Sequence, residues 1–196
     1  MEKIKAGAVL LICGFAANVA MADGERSIEV MYGQANQKDS FKAHFGGTTL
    51  SGTSNENTNL LGVRAAMGLS DGVVLEIAYI NYGEWKYSDS NDTEETSSIS
   101  VGAVGSYPFS EKASFNLRCG ISKWQVEFMP DVGSSSVQRG IDLYYGVGVD
   151  FRVAKQLKLS VEYTLLDMEY DLQDSGIEVD VEHDIGSTAL SIGYIF

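Results

Sequence analysis

The sequence is poor in several residues that exported and catalytic proteins commonly rely on. Among 196 residues there are two cysteines, two prolines and two histidines, and 14 lysines and arginines stand against 27 aspartates and glutamates. The shortage of basic residues, at a formal net charge of −13, argues against nucleic-acid binding, because phosphate recognition needs basic patches. Cys13 lies in an N-terminal segment that export is expected to remove, which leaves Cys119 alone and excludes an intrachain disulfide. Cys119 shares its parity with Phe115, Leu117 and Ile121, so it reads as a small outward hydrophobe rather than a nucleophile. Beyond the N-terminus no apolar run approaches the ~20 residues of a helical membrane span. Any crossing of a membrane must therefore be made by strands.

The N-terminus carries Lys3 and Lys5, then a nearly uncharged apolar run over residues 6–19, then Ala20-Met21-Ala22 with small residues at the cleavage-determining positions. This pattern predicts a signal peptide over residues 1–22 and one folded domain over residues 23–196. A lipoprotein signal is excluded because Ile12, not a small residue, precedes Cys13. Loss of Lys3, Lys5 and Glu2 makes the exported chain slightly more acidic still.

What the chain does have is alternation. From 141 to 153 the odd positions Ile141, Leu143, Tyr145, Val147, Val149, Phe151 and Val153 are apolar, opposed by Asp142, Tyr144, Gly146, Gly148, Asp150 and Arg152. After a short turn, Leu157, Leu159, Val161, Tyr163 and Leu165 alternate with Lys158, Ser160, Glu162 and Thr164. Glycine, serine and charges of both signs suit a cramped polar interior better than a water-facing surface. The apolar face then points to lipid, the period-2 signature of a transmembrane barrel.

Similar strands are predicted near residues 27–34, 61–69, 73–79, 97–107, 115–121 and 185–196. Residues 35–57, 88–95, 129–138 and 167–184 read as longer polar loops, and Ser70-Asp71-Gly72 is one of three tight turns. Tyr82, Trp85 and Tyr87 are expected at a membrane interface. Beyond Ser122 the apolar parity passes to Trp124, Val126 and Phe128, which predicts a β-bulge near Ser122-Lys123. The fold class is all-β: an eight-stranded antiparallel up-and-down transmembrane β-barrel, its short turns periplasmic and its long loops extracellular.

Several stretches resemble the transmembrane domain of the outer-membrane protein A (OmpA) family. They are Leu75-Glu76-Ile77-Ala78-Tyr79 through Gly83, Ala103-Val104-Gly105-Ser106-Tyr107-Pro108, Tyr145-Gly146-Val147-Gly148-Val149-Asp150-Phe151, Val161-Glu162-Tyr163, and the terminal Gly193-Tyr194-Ile195-Phe196. The resemblance implies an outer-membrane location, without that family's peptidoglycan-binding domain. It also implies insertion by the barrel-assembly machinery, with Tyr194 and Phe196 as the assembly signal. Inward acids meeting inward bases across the lumen are a further implication, at Glu76, Arg118, Asp150 and Glu162.

By parity the lumen should collect Glu29, Glu76, Asp142, Asp150 and Glu162 against Arg64, Arg118, Arg152 and Lys158. Buried charges are tolerable when paired and the bore of eight strands is narrow, so a salt-bridged core is expected rather than an ion pathway. His44 and His183 are placed in solvated loops, and His183 beside Asp184 and near Ser187 matches no hydrolase motif. Asp171, Asp174, Glu178, Asp180 and Glu182 form a candidate cation-binding loop, though without EF-hand spacing, and a hydrated acidic surface is the simpler reading. No cofactor is called for.

The expected role is structural or adhesin-like, carried by a monomer in contact with outer-membrane lipid, lipopolysaccharide and a host or environmental surface ligand. The alternatives are a narrow porin, an outer-membrane lipid-modifying hydrolase, and a soluble periplasmic lipocalin-like ligand carrier. The last would leave a solvent face of Ser98, Ser100, Gly102, Gly146, Gly148, Ser191 and Gly193, too small and uncharged for an ordinary surface.

Overall fold

The computed structural model describes residues 24–45, 48–87, 91–174 and 177–196, and the predicted signal peptide, residues 1–22, lies outside them. The strands are β1 (Arg26–Phe45), β2 (Thr48–Ser70), β3 (Val73–Lys86), β4 (Thr93–Pro108), β5 (Ala113–Met129), β6 (Ser136–Ala154), β7 (Leu157–Asp174) and β8 (Ile177–Ile195). Each pairs antiparallel with the next, and β8 closes on β1, so the sheet is a ring without an edge.

All around the ring, toward one end of the barrel, the alternation turns large apolar side chains outward. Val30, Leu61, Val101, Leu117, Val147, Val161 and Leu190 are all exposed, whereas Glu29, Arg64, Ser100, Arg118, Glu162 and Ser191 on neighbouring positions are buried inside. Four or five outward apolar residues on a tilted strand make a belt of about 20 Å, which approaches the apolar band of a barrel that spans the outer membrane. At one end of the belt lie the tight turns. Gly72, with φ of 76°, makes the first of them, a conformation that only glycine adopts readily.

At the other end the strands run on far past the belt, and three expectations from the sequence are corrected there. First, residues 35–57 and 167–184 are not long loops. β1 and β2 pair without a break from Arg26↔Met67 to Phe45↔Thr48, β7 and β8 continue to Asp174↔Ile177, and β8 follows β1 up to His44↔Glu178. Outside lipid nothing requires an apolar outer face, so the ladder is stitched by polar side chains. Asn36, for example, donates to Asn55 and Asn57.

Second, no bulge interrupts β5 at Ser122-Lys123. Its pairing with β4 is continuous, and Trp124 and Val126 simply occupy the inner face with Ser122 and Arg118. The irregularity is in β3 instead, where two residues, Tyr82 and Gly83, oppose one on β4 between Asn81↔Ser97 and Glu84↔Glu95. Gly83 has φ of 91°, its N–H donates to Asn81 Oδ1 (2.8 Å), and a Cβ there would lie 2.6 Å from the Asn59 carbonyl oxygen. Glycine is therefore what permits the bulge. Third, Tyr82, which continues the inward parity of Glu76, Ala78 and Ile80, and Trp85, which the extra residue turns inward, are both buried, instead of sitting at a membrane interface.

The interior is layered. Ions fill the level of the belt. Above them lies an apolar cluster of Met31, Ala35, Leu60, Ile80, Trp124, Leu166, Met168 and Ile185.

Candidate functional site

Two places in the barrel concentrate chemistry: the filled lumen and its upper end. In the lumen, Arg64 on β2 makes a bidentate contact with Glu162 on β7 (2.8 and 2.6 Å), and its Nε lies 3.3 Å from Glu76 on β3. Arg118 on β5 reaches the same Glu162 (2.8 Å) and Glu76 (3.5 Å). Lys158 on β7 bridges Glu29 on β1 (2.8 Å) and Asp150 on β6 (3.3 Å), and Ser27 and Ser191 also donate to Glu29. Tyr144 on β6 donates to Glu76 (2.8 Å) across a floor of glycines: a Cβ on Gly102 would fall 2.2 Å from its hydroxyl. Charges removed from water are tolerated because each has opposite charges within hydrogen-bond reach.

The network hands over directly to the apolar layer. Between them lies a void of about 10 Å³, lined by Arg64, Glu76, Ile80, Tyr144, Leu166 and Ile185. That is about the least space that admits one water. Below the ions, toward the tight turns, the lumen opens into a vestibule of 780 Å³ with Glu25, Asp150, Arg152 and Lys158 on its wall.

At the upper end, above the apolar layer, His183 on β8 is fully buried, not a solvated loop residue as its acidic neighbourhood suggested. Gln37 on β1 fixes its ring. The Gln37 amide nitrogen donates to Thr58 Oγ1 (2.8 Å) and the Tyr82 carbonyl (3.2 Å), which turns its oxygen toward His183 Nε2 (3.3 Å). On the other side, His183 Nδ1 meets Asp39 Oδ1 in close contact and Glu94 Oε1 at 3.6 Å. Burial and the facing Asp39 carboxylate push Glu94 above the ordinary glutamate range.

The outer face of the same projecting wall carries a ladder of ion pairs: Lys38 with Asp184 (3.7 Å), Lys42 with Glu182 (3.5 Å) and His44 with Asp180 (3.6 Å). Such exposed pairs contribute little stability individually.

The family model of the outer membrane protein beta-barrel domain matches residues 6–196. The chain belongs to that family. No curated protein matches the chain by sequence. Among solved structures, the outer membrane protein OprG from Pseudomonas aeruginosa is similar at 15% identity, with a TM-score of 0.63 over 88% of this chain and 96% of that one. Neisserial surface protein A is similar at 17% identity and a TM-score of 0.56, over 85% and 97%. Ail, the attachment invasion locus protein of Yersinia pestis, solved in complex with the heparin analogue sucrose octasulfate, is similar at 16% identity and 0.52, over 89% and 100%.

In an outer-membrane barrel the tight turns are periplasmic and the tall hairpins extracellular. Of the residues predicted for the lumen, Glu29, Arg64, Glu76, Arg118, Asp150, Lys158 and Glu162 meet in the network just described. Asp142 stands apart, accepting from Trp124 Nε1 (2.6 Å). Arg152 is a rim residue, half exposed and paired with Glu25 at the periplasmic mouth. Tyr194 and Phe196 stack on the lipid face with ring centroids 6.3 Å apart.

The acidic run is a correction as well. Asp180 and Glu182 lie on the outer face of β8 and pair with His44 and Lys42, so they do not converge in a loop. The backbones of Asp171, Asp174 and Glu178 belong to β7 and β8, and their side chains lie outside the described residues. The Asp39–Glu94–His183 cluster was missed in the sequence, although a signal was there: Val179, Val181, His183 and Ile185 alternate with Asp180, Glu182 and Asp184.

Proposed function

We propose that this outer-membrane barrel is a sealed, non-enzymatic surface protein whose tall extracellular hairpins meet a ligand outside the cell. One observation carries the reading: the lumen is filled from the ionic network to the apolar layer, with room for about one water between them. That filling supports a surface role over an ion-conducting one. The extracellular wall, by contrast, is tall, regularly paired and charged.

Charge narrows the ligand. The chain carries nearly two acidic residues for each basic one, and the outward ladder already occupies Lys38, Lys42 and His44. A basic or neutral partner fits such a surface, and a sulfated polyanion does not. Catalysis gains no support from His183, which reaches Gln37, Asp39 and Glu94, while Ser187 is engaged with Thr164 (2.6 Å). In this reading the chain acts as a monomer, delivered by the barrel-assembly machinery through Tyr194 and Phe196. Its belt lies in lipid and lipopolysaccharide.

The test uses whole cells that display either the complete protein or a variant whose β1–β2 hairpin is shortened above Lys38. Adhesion to surfaces of defined charge should be strongest on basic ones and fall severalfold in the variant, with equal amounts of barrel in the membrane. Equal adhesion by both, or channel steps from the purified protein in a planar bilayer, would overturn the proposal.

A further inference from the structure

We propose that Asp39, Glu94 and His183 form a binding site for a divalent transition metal of the zinc class at the extracellular end of the lumen. The three residues come from β1, β4 and β8. Their candidate ligand atoms, one imidazole nitrogen and two carboxylate oxygens, all lie within 4.8 Å of one another. His183 Nδ1, Asp39 Oδ1 and Glu94 Oε1 are buried atoms without a hydrogen-bond partner. A fully buried imidazole nitrogen aimed at two carboxylates in this state is an unsatisfied arrangement.

The surroundings prepare these atoms for a cation. The Gln37 amide oxygen can only accept, so His183 Nε2 carries the hydrogen, and in the neutral ring that tautomer, assigned from this contact, leaves a lone pair on Nδ1. Tyr87 donates its hydroxyl hydrogen to Glu94 Oε2 (3.0 Å), which leaves Oε1 for the cluster. A ligating histidine held through its other nitrogen and a carboxylate held through its other oxygen are what metal sites place around their ligands. A neutral ring with two carboxylates carries two negative charges, which a divalent ion balances and a single proton on Nδ1 does not. The imidazole selects among divalent ions: magnesium and calcium take oxygen donors, whereas zinc and its neighbours accept nitrogen with oxygen. An ion there would tie β1, β4 and β8 together across the top of the apolar layer.

The full chain, refolded in detergent and freed of metal by chelation, is titrated with zinc by calorimetry. Millimolar magnesium occupies the outer acids during the titration. One zinc per chain is expected. Asp39→Asn, Glu94→Gln and His183→Gln should each abolish or sharply weaken uptake, and Tyr87→Phe should weaken it about tenfold. The paired variant Asp180→Asn/Glu182→Gln, altered only on the outer ladder, should bind as the original chain does. Folding of every variant is read from heat-modifiable migration. In the unaltered protein, the His183 Nδ1 resonance in nitrogen NMR should shift on zinc addition, a readout that needs no substitution. Absence of uptake above the magnesium background would overturn the site. So would uptake lost only in the outer-ladder variant, or a His183 that stays protonated on Nδ1 in the presence of zinc.

Discussion

Glu162 joins the two lumenal arginines through one carboxylate. It takes two bonds from Arg64 and one from Arg118, and it is almost completely buried. Glu162→Gln keeps the shape and removes the charge, leaving both guanidinium groups to share Glu76 and Glu29. Breaking a buried pair in this way costs about 3–5 kcal/mol. Urea unfolding in lipid vesicles should show that loss, and a change below about 1 kcal/mol would mean that water reaches the network. Ser160, buried on the same strand with its hydroxyl unpartnered, is the contrasting position. The lumenal residues were legible in the sequence because inside the belt every second residue points inward and ordinary strand parity finds them. The Gly83 bulge was not, since a left-handed glycine in a strand looks like any other glycine until its register is known.

At the scale of the strand, the mistakes share one cause. Within the belt the apolar residues point out, and above it they point in. In β5, Leu117, Cys119 and Ile121 face lipid, whereas Trp124 and Val126 face the lumen with Lys123, Gln125 and Glu127 outside. In β7 the change falls between Leu165 and Leu166, after which Leu166 and Met168 are inside and Asp167 and Glu169 outside. In β8 it separates Leu190, Ile192 and Tyr194 from Val181 and Ile185. No extra residue is inserted. The solvent outside changes from lipid to water, and the barrel changes with it from a membrane pattern to that of a soluble barrel. Constant parity would require a bulge in β5 and an end to β7 near Leu166, and the structure has neither.

The same inversion makes a prediction. Val149 on β6 and Val161 on β7 are directly opposed near the middle of the belt, Val161 exposed to lipid and Val149 half-buried on the same outward parity as Val147 and Phe151. Arginine at either should destabilise the barrel by about 2–4 kcal/mol. Arginine in place of Glu169, outward but above the belt, should be nearly neutral. Equal costs at the two levels, measured by urea titration of tryptophan fluorescence in vesicles, would contradict the placement of the belt.

Over the whole molecule, the two fillings of the lumen act in series. The ionic layer presents charges that are already paired, and the apolar layer from Met31 to Met168 offers an ion no opposite charge. An ion without partners in an apolar medium is penalised by many kcal/mol. Clearing one layer therefore leaves the other as a complete barrier. The double variant Glu162→Ala/Arg64→Ala should enlarge the vestibule upward, yet show no channel steps in planar bilayers. Trp124→Ala/Met168→Ala, which thins the apolar layer, should stay closed as well, because the Arg64–Glu162–Arg118 bridge still spans the bore. Steps in the first variant would mean that the apolar layer wets and is no seal. Steps in the second would mean that ions exchange through the charged bridge, and the barrel would then be a pore closed at a single level.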